Sequence, residues 1–345
     1  MKKDLLGMTT QQLTDEMESQ GWPAYRAKQI FQWLFRGVKH FDKMTNIPKA
    51  MRTELEQNYM ITAIEQVKKQ VSSLDGTAKY LYKLLDGELI ESVLMNYRHG
   101  SSACISTQVG CAMGCAFCAS GQEGLIRNLT TAEMADQILA MTADHQTRIS
   151  HVVLMGSGEP LQNLKDVVEL IRIINEPDGL HISMRHITLS TCGLIPEINQ
   201  LASLKLPINL AVSLHAASDD VRRRIMPVAY RYSIHELIKA CESYSDITHR
   251  RVTYEYALIR GINDSREDLI TLAELLKNQL CHVNLIPVNP VQGTSYQSSP
   301  KEQAYQLKEI LDKKGIPATV RREMGSDIDA ACGQLKRHKS EAENQ

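Results

Sequence analysis

Cys111, Cys115 and Cys118 stand in the run Gln108-Val109-Gly110-Cys111-Ala112-Met113-Gly114-Cys115-Ala116-Phe117-Cys118-Ala119-Ser120-Gly121, with the spacing C-x3-C-x2-C. A glycine-containing loop of this kind can wrap three thiolates around one iron–sulfur cluster. The informative count is three ligands rather than four. A 4Fe–4S cluster held by three cysteines leaves one iron open to bind a small molecule directly. Two blander readings compete. Structural zinc takes four ligands, usually as two pairs, and no second pair is evident. Chance clustering is disfavoured because the chain has only eight cysteines in 345 residues. Cys104 lies seven residues before the cluster, and Cys332 lies in Asp327-Ile328-Asp329-Ala330-Ala331-Cys332-Gly333-Gln334-Leu335. Taken alone, each reads as a buried packing residue, as do Cys192, Cys241 and Cys281.

Such a loop needs a rigid frame. From residue 103 the hydrophobic pattern alternates between short strands and helices. Strand-like runs lie near 104–109, 151–155, 186–190, 208–213, 252–259 and 282–287. Helical stretches follow at 131–142, 163–174, 194–203, 233–243, 266–277 and 302–313, and a last strand is expected at 316–321. Repeating βα units imply a parallel sheet covered by helices. Six units are too few for a closed eight-fold barrel. The reading is therefore an α/β fold, a partial (β/α)6 barrel with functional loops at the C-terminal ends of its strands. Residues 79–94 read as a β-hairpin turning at Asp86-Gly87 through a type I′ turn. Residues 9–58 read as two or three short helices, the first capped by Thr9 or Thr10. The expected organisation is a helical accessory domain at 1–60, a hairpin linker at 61–100 and the barrel at 101–325. A C-terminal segment at 326–345 carries Cys332 and ends in a polar tail, expected to be disordered after Leu335.

The hydrophobic fraction of 43% and charged fraction of 23% are ordinary for a globular chain. No apolar run approaches the roughly 18 residues of a membrane span, and Met1-Lys2-Lys3-Asp4 opens no signal peptide. A cytoplasmic protein without membrane association is expected. The net charge of −1 gives no global sign of a nucleic-acid binder. Gln20–Arg52, however, carries seven basic residues against the single acid Asp42, together with both tryptophans and three of the four phenylalanines. Basic residues interleaved with aromatics suit phosphate contact and base stacking. They equally suit a small helical core with a solvated basic face.

The three-cysteine loop after the first strand of a partial barrel resembles the radical S-adenosylmethionine superfamily. Met155-Gly156-Ser157-Gly158-Glu159-Pro160 at the end of the second strand is similar to that superfamily's GxGEP-type turn. Alone, a Gly-Glu-Pro turn means little. The resemblance narrows at Cys104-Ile105-Ser106-Thr107-Gln108-Val109-Gly110-Cys111 and at the segment around Cys332. These look like the RlmN and Cfr family of RNA methyltransferases, whose RlmN members act on C2 of adenine and Cfr members on C8. The similarity runs over nearly the whole chain and favours the RlmN type; Ser157 departs from an expected methionine. It implies that Cys111, Cys115 and Cys118 hold a 4Fe–4S cluster. It implies that S-adenosylmethionine, serving as both methyl donor and radical source, contacts Gly158, Glu159, Ser190, Ser213, Leu214, His215 and Asn289. The implied partners are 23S ribosomal RNA, transfer RNA and an external electron donor such as flavodoxin or ferredoxin, acting on a monomer.

Adenine C2 is an electron-poor carbon, so direct methyl transfer from a sulfonium is closed and a one-electron route is needed. The resemblance implies that Cys332 takes a methyl group, that the 5′-deoxyadenosyl radical removes a hydrogen from it, and that the resulting carbon adds to C2. Glu91 would remove the C2 proton, and Cys104 would release the product through a transient disulfide with Cys332. By its period of two, Glu91 shares a face with Leu89 and Val93. An apolar setting there is expected to make it a better base. Competing readings are the C8 enzyme, disfavoured by Pro160; an electron-carrying iron–sulfur protein, which would saturate its cluster with a fourth cysteine; and a radical enzyme acting on something other than RNA.

Overall fold

The computed structural model describes residues 2–122 and 124–335. The polar tail expected after Leu335 lies outside the described residues. The chain opens with β1 (Lys3–Asp4), α1 (Thr10–Ser19), α2 (Tyr25–Phe35), α3 (Lys49–Asn58) and β2 (Tyr59–Met60), with β1 and β2 paired in parallel. Thr9 begins α1 through a reciprocal capping box with Gln12. In α2, Ala27, Ile30, Phe31, Leu34 and Phe35 recur at helical spacing and are all buried.

Most of the aromatics left open by the sequence belong to this unit's core. Phe31, Phe35 and Phe41 are buried, Phe31 stacks on Phe35 at 4.5 Å, and Trp22 and Trp33 are half-buried against them. The charges divide. Lys28 pairs with Asp178 at 3.0 Å and Lys39 pairs with the fully buried Asp136, so both tie the helices to the barrel. Exposed Arg36, Lys43 and Lys49 remain at the surface, with Tyr25, 56% exposed, under the guanidinium of Arg26.

The sheet that follows has ten strands. In chain order these are β3 (Glu65–Val71), β4 (Ala78–Lys83), β5 (Leu89–Tyr97) and β6 (Gly100–Cys104), then, past the small pair β7 (Gln108–Gly110) and β8 (Leu125–Asn128), β9 (Ile149–Leu154), β10 (Ile187–Thr191), β11 (Asn209–Ser213), β12 (Val252–Leu258), β13 (Cys281–Pro287) and β14 (Ala318–Val320). Their order is β14-β13-β12-β11-β10-β9-β6-β5-β4-β3. The pairs from β3 to β6 are antiparallel and all pairs from β6 to β14 are parallel. Helices α4 (Thr131–His145), α5 (Leu164–Asn175), α6 (Ile195–Ser203), α7 (Asp219–Ile225), α8 (Ile234–Thr248), α9 (Arg266–Leu275) and α10 (Lys301–Lys313) cover one face. Each of the six strands β6 and β9–β13 leads to a helix on that face, which is the expected six-unit partial barrel, closed by β14. No helix of the described residues is long and apolar enough to cross a membrane.

Two local expectations are corrected. The first barrel strand ends at Cys104 rather than running from 104 to 109. Beyond it the chain leaves the ladder at Ser106, whose backbone N–H donates to Oε1 of Gln137 at 2.9 Å and whose carbonyl accepts from Nε2 of Gln137 at 3.0 Å, so a side chain takes the groups a strand partner would use. The hairpin has no two-residue type I′ turn. The Gly87 N–H donates to the Leu84 carbonyl at 3.0 Å, and Leu84 and Glu88 form the last backbone pair. The loop therefore holds three residues, with Gly87 at φ +87 taking the left-handed position. The hairpin is also continuous with the barrel sheet, since β5 pairs directly with β6.

Strand alternation decides what the barrel encloses. In β13, Cys281, Val283, Leu285 and Pro287 are buried under helices, while His282, Asn284 and Ile286 are half-buried on the other face. In β10, Ile187, Leu189 and Thr191 alternate the same way with Thr188 and Ser190. The concave face is thus partly polar and lines a cavity rather than a packed core.

Replacing Lys39 with Met should leave the buried Asp136 carboxylate without its cation and cost about 3 kcal/mol. The expected readout is earlier urea unfolding and faster proteolysis near residue 61. Lys39→Met/Asp136→Leu should recover most of the loss, and equal damage in both variants would mean the pair does not dock the helices.

Candidate active site

The C-terminal ends of the parallel strands surround an open cavity of about 930 Å³ of empty space. Cys111, Cys115, Cys118, Gly158, Glu159, Ser190, Ser213, His215, Asn289 and Cys332 all line it. Leu214 does not. It is fully buried behind the wall, where its carbonyl accepts from Arg222 Nε at 3.1 Å.

The cysteine loop leaves β7 at Gly110, whose φ of +75 starts the turn, and is clamped from two sides. The Ala116 N–H donates to the Ile225 carbonyl at 2.9 Å, and the Ala119 N–H to the Gly333 carbonyl at 2.7 Å. Burial pushes the Cys111 thiol up to about 12 and raises Cys115 and Cys118 as well. Neighbouring thiols add to this for Cys111 and Cys115. Among the described residues, no three His, Cys, Asp or Glu side chains converge where one metal ion could sit. Three sulfurs spaced along one cavity wall suit the separate corners of a multi-iron cluster better than a single zinc, and the donor set fits the 4Fe–4S group.

The Gly156–Pro160 turn is built by contact with the chain after β6. A Cβ on Gly156 would lie 2.6 Å from the Ile105 carbonyl oxygen, and one on Gly158 would lie 2.6 Å from Cβ of Gln108. Ser157, the departure noted in the sequence, has a use here. Its hydroxyl is 3.1 Å from that of Ser120, and Ser120 donates its only proton to the Leu335 carbonyl at 2.7 Å, so Ser157 is the donor between them. Glu159 is buried. Its carboxylate accepts from the N–H of Leu161 at 3.0 Å and of Cys192 at 2.8 Å, and burial raises its pKa against those two donors. No cation of the described residues pairs with it, which suits a wall that receives an ammonium group.

His215 is buried with φ +55. The Ala257 N–H donates to its Nδ1 at 2.8 Å, and burial lowers the pKa to about 3, so the ring is neutral with its proton on Nε2. Asn289 donates from Nδ2 to the Cys332 carbonyl at 3.0 Å, so it holds the C-terminal segment as well as lining the cavity.

A second, smaller cavity adjoins the first and contains Cys104 with Cys332; Cys332, Met155, Ile286, Asn289 and Arg321 line both. Both thiols are free. Burial, then the neighbouring Cys332, pushes Cys104 up to about 12. Glu91 lines neither cavity. It is 1% exposed, and its carboxylate is 3.4 Å from Nζ of Lys79, which also donates to the Asp329 carbonyl at 3.2 Å. The expected apolar setting is therefore corrected: a buried lysine shares it. Cys241 and Cys281 are core residues, whereas Cys192 belongs partly to the cavity wall.

Sequence reasoning missed Arg222, Glu255 and Arg321. Arg222 is fully buried and donates to carbonyls of Cys192, Ser213 and Leu214, bracing the ends of β10 and β11. The three consecutive arginines 222–224 carried no local mark separating the buried one from the others. Glu255 and Arg321 are 3.9 Å apart inside the barrel. Only inward parity on β12 marked the first, and nothing local marked the second.

Gly158→Ala should cost about 3 kcal/mol, from both the collision with Gln108 and the φ of +107. Gly124→Ala, at φ +72 in open space, should cost about 1 kcal/mol. Urea unfolding midpoints compare the two, and equal losses would mean that the close approach to Gln108 is not what shapes the turn.

Two family models match the chain. "Radical SAM superfamily" matches residues 105–273, and "Ribosomal RNA large subunit methyltransferase N-terminal domain" matches residues 3–61. The chain is 54% identical over 336 residues to a probable dual-specificity RNA methyltransferase RlmN of Alkaliphilus oremlandii, covering 97% of this chain and 98% of that relative. It is 49% identical over 337 residues to one of Clostridium novyi, with coverages of 97% and 98%. A radical SAM methyltransferase crystal structure from Sphaerobacter thermophilus superposes with a TM-score of 0.92 at 44% identity, covering 96% of this chain and 99% of that one.

Proposed function

This chain belongs to the RlmN family, dual-specificity RNA methyltransferases of the radical S-adenosylmethionine superfamily, and we propose that it methylates C2 of adenine in 23S ribosomal RNA and in transfer RNA. In this reading it is a cytoplasmic enzyme reduced by a flavodoxin or ferredoxin. The observation that carries the reading is the shared cavity wall, in which Cys332 stands between the three-cysteine loop and Cys104.

Cys111, Cys115 and Cys118 hold the cluster. When bound, it supplies the electron that cleaves the sulfonium of S-adenosylmethionine. Glu159 and the Gly158 backbone receive the ammonium group of its methionine moiety, while Ser190, Ser213, His215 and Asn289 form the rest of its wall and Leu214 supports it from behind. Neutral His215 can donate from Nε2 without adding charge.

Cys332 carries the methyl group and, after hydrogen removal, is joined through that carbon to C2 of the base. Addition leaves one unpaired electron on the base; Glu91 takes the C2 proton, and that electron would pass to the oxidised cluster that Cys111, Cys115 and Cys118 would hold. Cys104 lies directly across from Val93 in the β5–β6 ladder, and Glu91 is two residues further along the same face, about 7 Å away. The Cys104 thiolate then bonds to the Cys332 sulfur as the carbon–sulfur bond breaks. The electron pair of that bond stays with the carbon, which takes a proton and becomes the methyl group. The protein is left with a disulfide, which an external thiol reductant opens. RNA contact fits the exposed Arg36, Lys43 and Lys49 of the N-terminal helices.

Anaerobic reconstitution should give about four irons and four sulfides per chain. Alanine at Cys111, Cys115 or Cys118 should abolish both cluster and S-adenosylmethionine cleavage, and a stoichiometric zinc site would overturn this assignment. The reduced enzyme, given S-adenosylmethionine with 23S RNA fragments or transfer RNA, should form 5′-deoxyadenosine and methyl mapped by mass to C2. Methyl at C8 would move the chain to the Cfr type.

The thiols separate on a denaturing gel. Cys332→Ala should form neither adduct nor product with its cluster intact. Cys104→Ala should accumulate protein covalently tied to RNA, because nothing breaks the thioether. Glu91→Gln should trap adduct too, since the proton must leave before the linkage breaks. Normal turnover by Cys104→Ala, or trapped RNA in Cys332→Ala, is the result that refutes these roles.

A further inference from the structure

Resolving a thioether requires Cys104 as a thiolate, yet the fold buries its sulfur. Cys104 is 8% exposed and sits among Val93, Met95, Val153, Met155 and Met324. Desolvation in such a place favours the neutral thiol, and a second thiol alongside, Cys332, disfavours charge further. The Met155 backbone N–H directed at the sulfur opposes this in part, and a positive charge in the cavity opposes it further.

The titratable groups facing this space come from several packed elements. Strand β5 contributes Tyr97 and, two residues from Val93 on the same face, Glu91, which is engaged by Lys79 of β4 at 3.4 Å; the residues after β14 contribute Arg321, Arg322 and Glu323, and the C-terminal segment contributes Cys332. Strand β12 contributes Glu255 behind Arg321, and β9 contributes only Val153 and Met155. Arg322 and Glu323 are exposed and of opposite sign, while Arg321 is held inside. Its backbone N–H donates to the Leu285 carbonyl at 2.8 Å, continuing the β13–β14 ladder and aiming the side chain into the barrel. There its guanidinium lines both cavities. Nη1 is 3.8 Å from the Met155 sulfur and 3.9 Å from Oε2 of Glu255. The second separation is beyond a hydrogen bond. Glu255 is itself engaged by Nδ2 of Asn284 at 3.0 Å. The arginine is therefore a half-buried cation, its side chain 23% exposed, without a tight carboxylate partner and lining the cavity that holds both working sulfurs.

We propose that Arg321 is a positioning residue for the sulfur chemistry, its guanidinium holding the Cys104 sulfur in the thiolate form that breaks the link between Cys332 and the RNA. This rests on the assignment of Cys104 and Cys332 in the proposed function. The same cation stabilises sulfur anion character on Cys332 when the disulfide is reopened. Among the causes acting on Cys104, Arg321 is the one charge of opposite sign, and it opposes the effects of burial and of Cys332. A unit charge in a partly desolvated site commonly shifts a neighbour by a unit or more, which is tenfold in thiolate at a given pH.

The test uses the cluster-loaded enzyme. Cys104 alkylation by iodoacetamide is followed by peptide mass against pH in wild type, Arg321→Met, Arg321→Gln and Arg321→Lys, with iron content and melting as folding controls. The neutral replacements should move the Cys104 profile to higher pH and slow alkylation about tenfold at pH 8. Arg321→Lys should stay near wild type. The midpoint is compared rather than the absolute rate, since a smaller side chain would admit more reagent. With RNA, Arg321→Gln should accumulate part of the adduct that Cys104→Ala traps, and raising the pH should release it. Superimposable Cys104 profiles in wild type and the neutral variants would overturn the proposal; if Arg321→Met does not fold, Arg321→Gln decides it. A shifted profile in an enzyme where Cys104→Ala never traps RNA would leave the charge coupling standing and refute the role of Cys104.

Discussion

Residues 325–335 cross the open side of the barrel, and the site exists only because they do. Asn289 and Ala119 hold the backbone on either side of Cys332, and Ser120 holds Leu335. On the far side the Gly325 N–H donates to Asp75, and Asp327 accepts from both the N–H and the hydroxyl of Ser73. The strap is thus stitched to the cysteine loop, to the loop after β13 and to the β3–β4 turn. A partial barrel leaves a gap between its last parallel strand and its antiparallel extension. The strap fills that gap with Met324, Ala330 and Leu335 packed against Val93, Met95 and Cys104. Apolar burial here does chemical work, since it brings two sulfurs from distant parts of the chain to one dry cavity.

That dryness is costly for a site full of thiols. Cys104, Cys111, Cys115 and Cys118 favour their neutral forms, because a thiolate loses more hydration than a thiol on burial. A metal group answers this for the three loop cysteines by replacing their protons. Cys104 and Cys332 have no such ligand, so any help must come from fixed charge. The barrel interior is where fixed charge can be held, because alternate residues on β10–β13 point inward and several are polar. Glu255 and Asn284 in turn occupy the wall around Arg321. A fully apolar barrel interior, as close packing alone would favour, leaves no room for substrate or for such groups.

The N-terminal helices follow a different logic. Their aromatic residues belong to the same continuous core as the barrel, with Phe31 and Phe35 packed close over Gly179. Two of their basic residues meet acids of the barrel, including Asp136, which is removed from water. The surface left for a polyanion is correspondingly smaller than the sequence count implied.

Sequence alone determined whatever is local. The C-x3-C-x2-C spacing, the alternation of strand and helix and the cap of α1 all act within one loop or one turn, so their period or spacing is visible in the chain, whereas the burial of the three phenylalanines was left open beside RNA contact. The six-unit barrel and the family follow from patterns of that kind, and both are now established. The tertiary structure decided what depends on pairs far apart. The end of β6 was set by the Gln137 side chain of α4, which takes both backbone groups of Ser106, not by any change of hydrophobicity. The surroundings of Glu91 were set by Lys79 on the neighbouring strand. Arg222 and Arg321 look like other surface arginines in sequence, because burial of a charge depends on which carbonyls or sulfurs meet it in space. The approach of Cys332 to Cys104 was likewise decided only by the strap that closes the barrel.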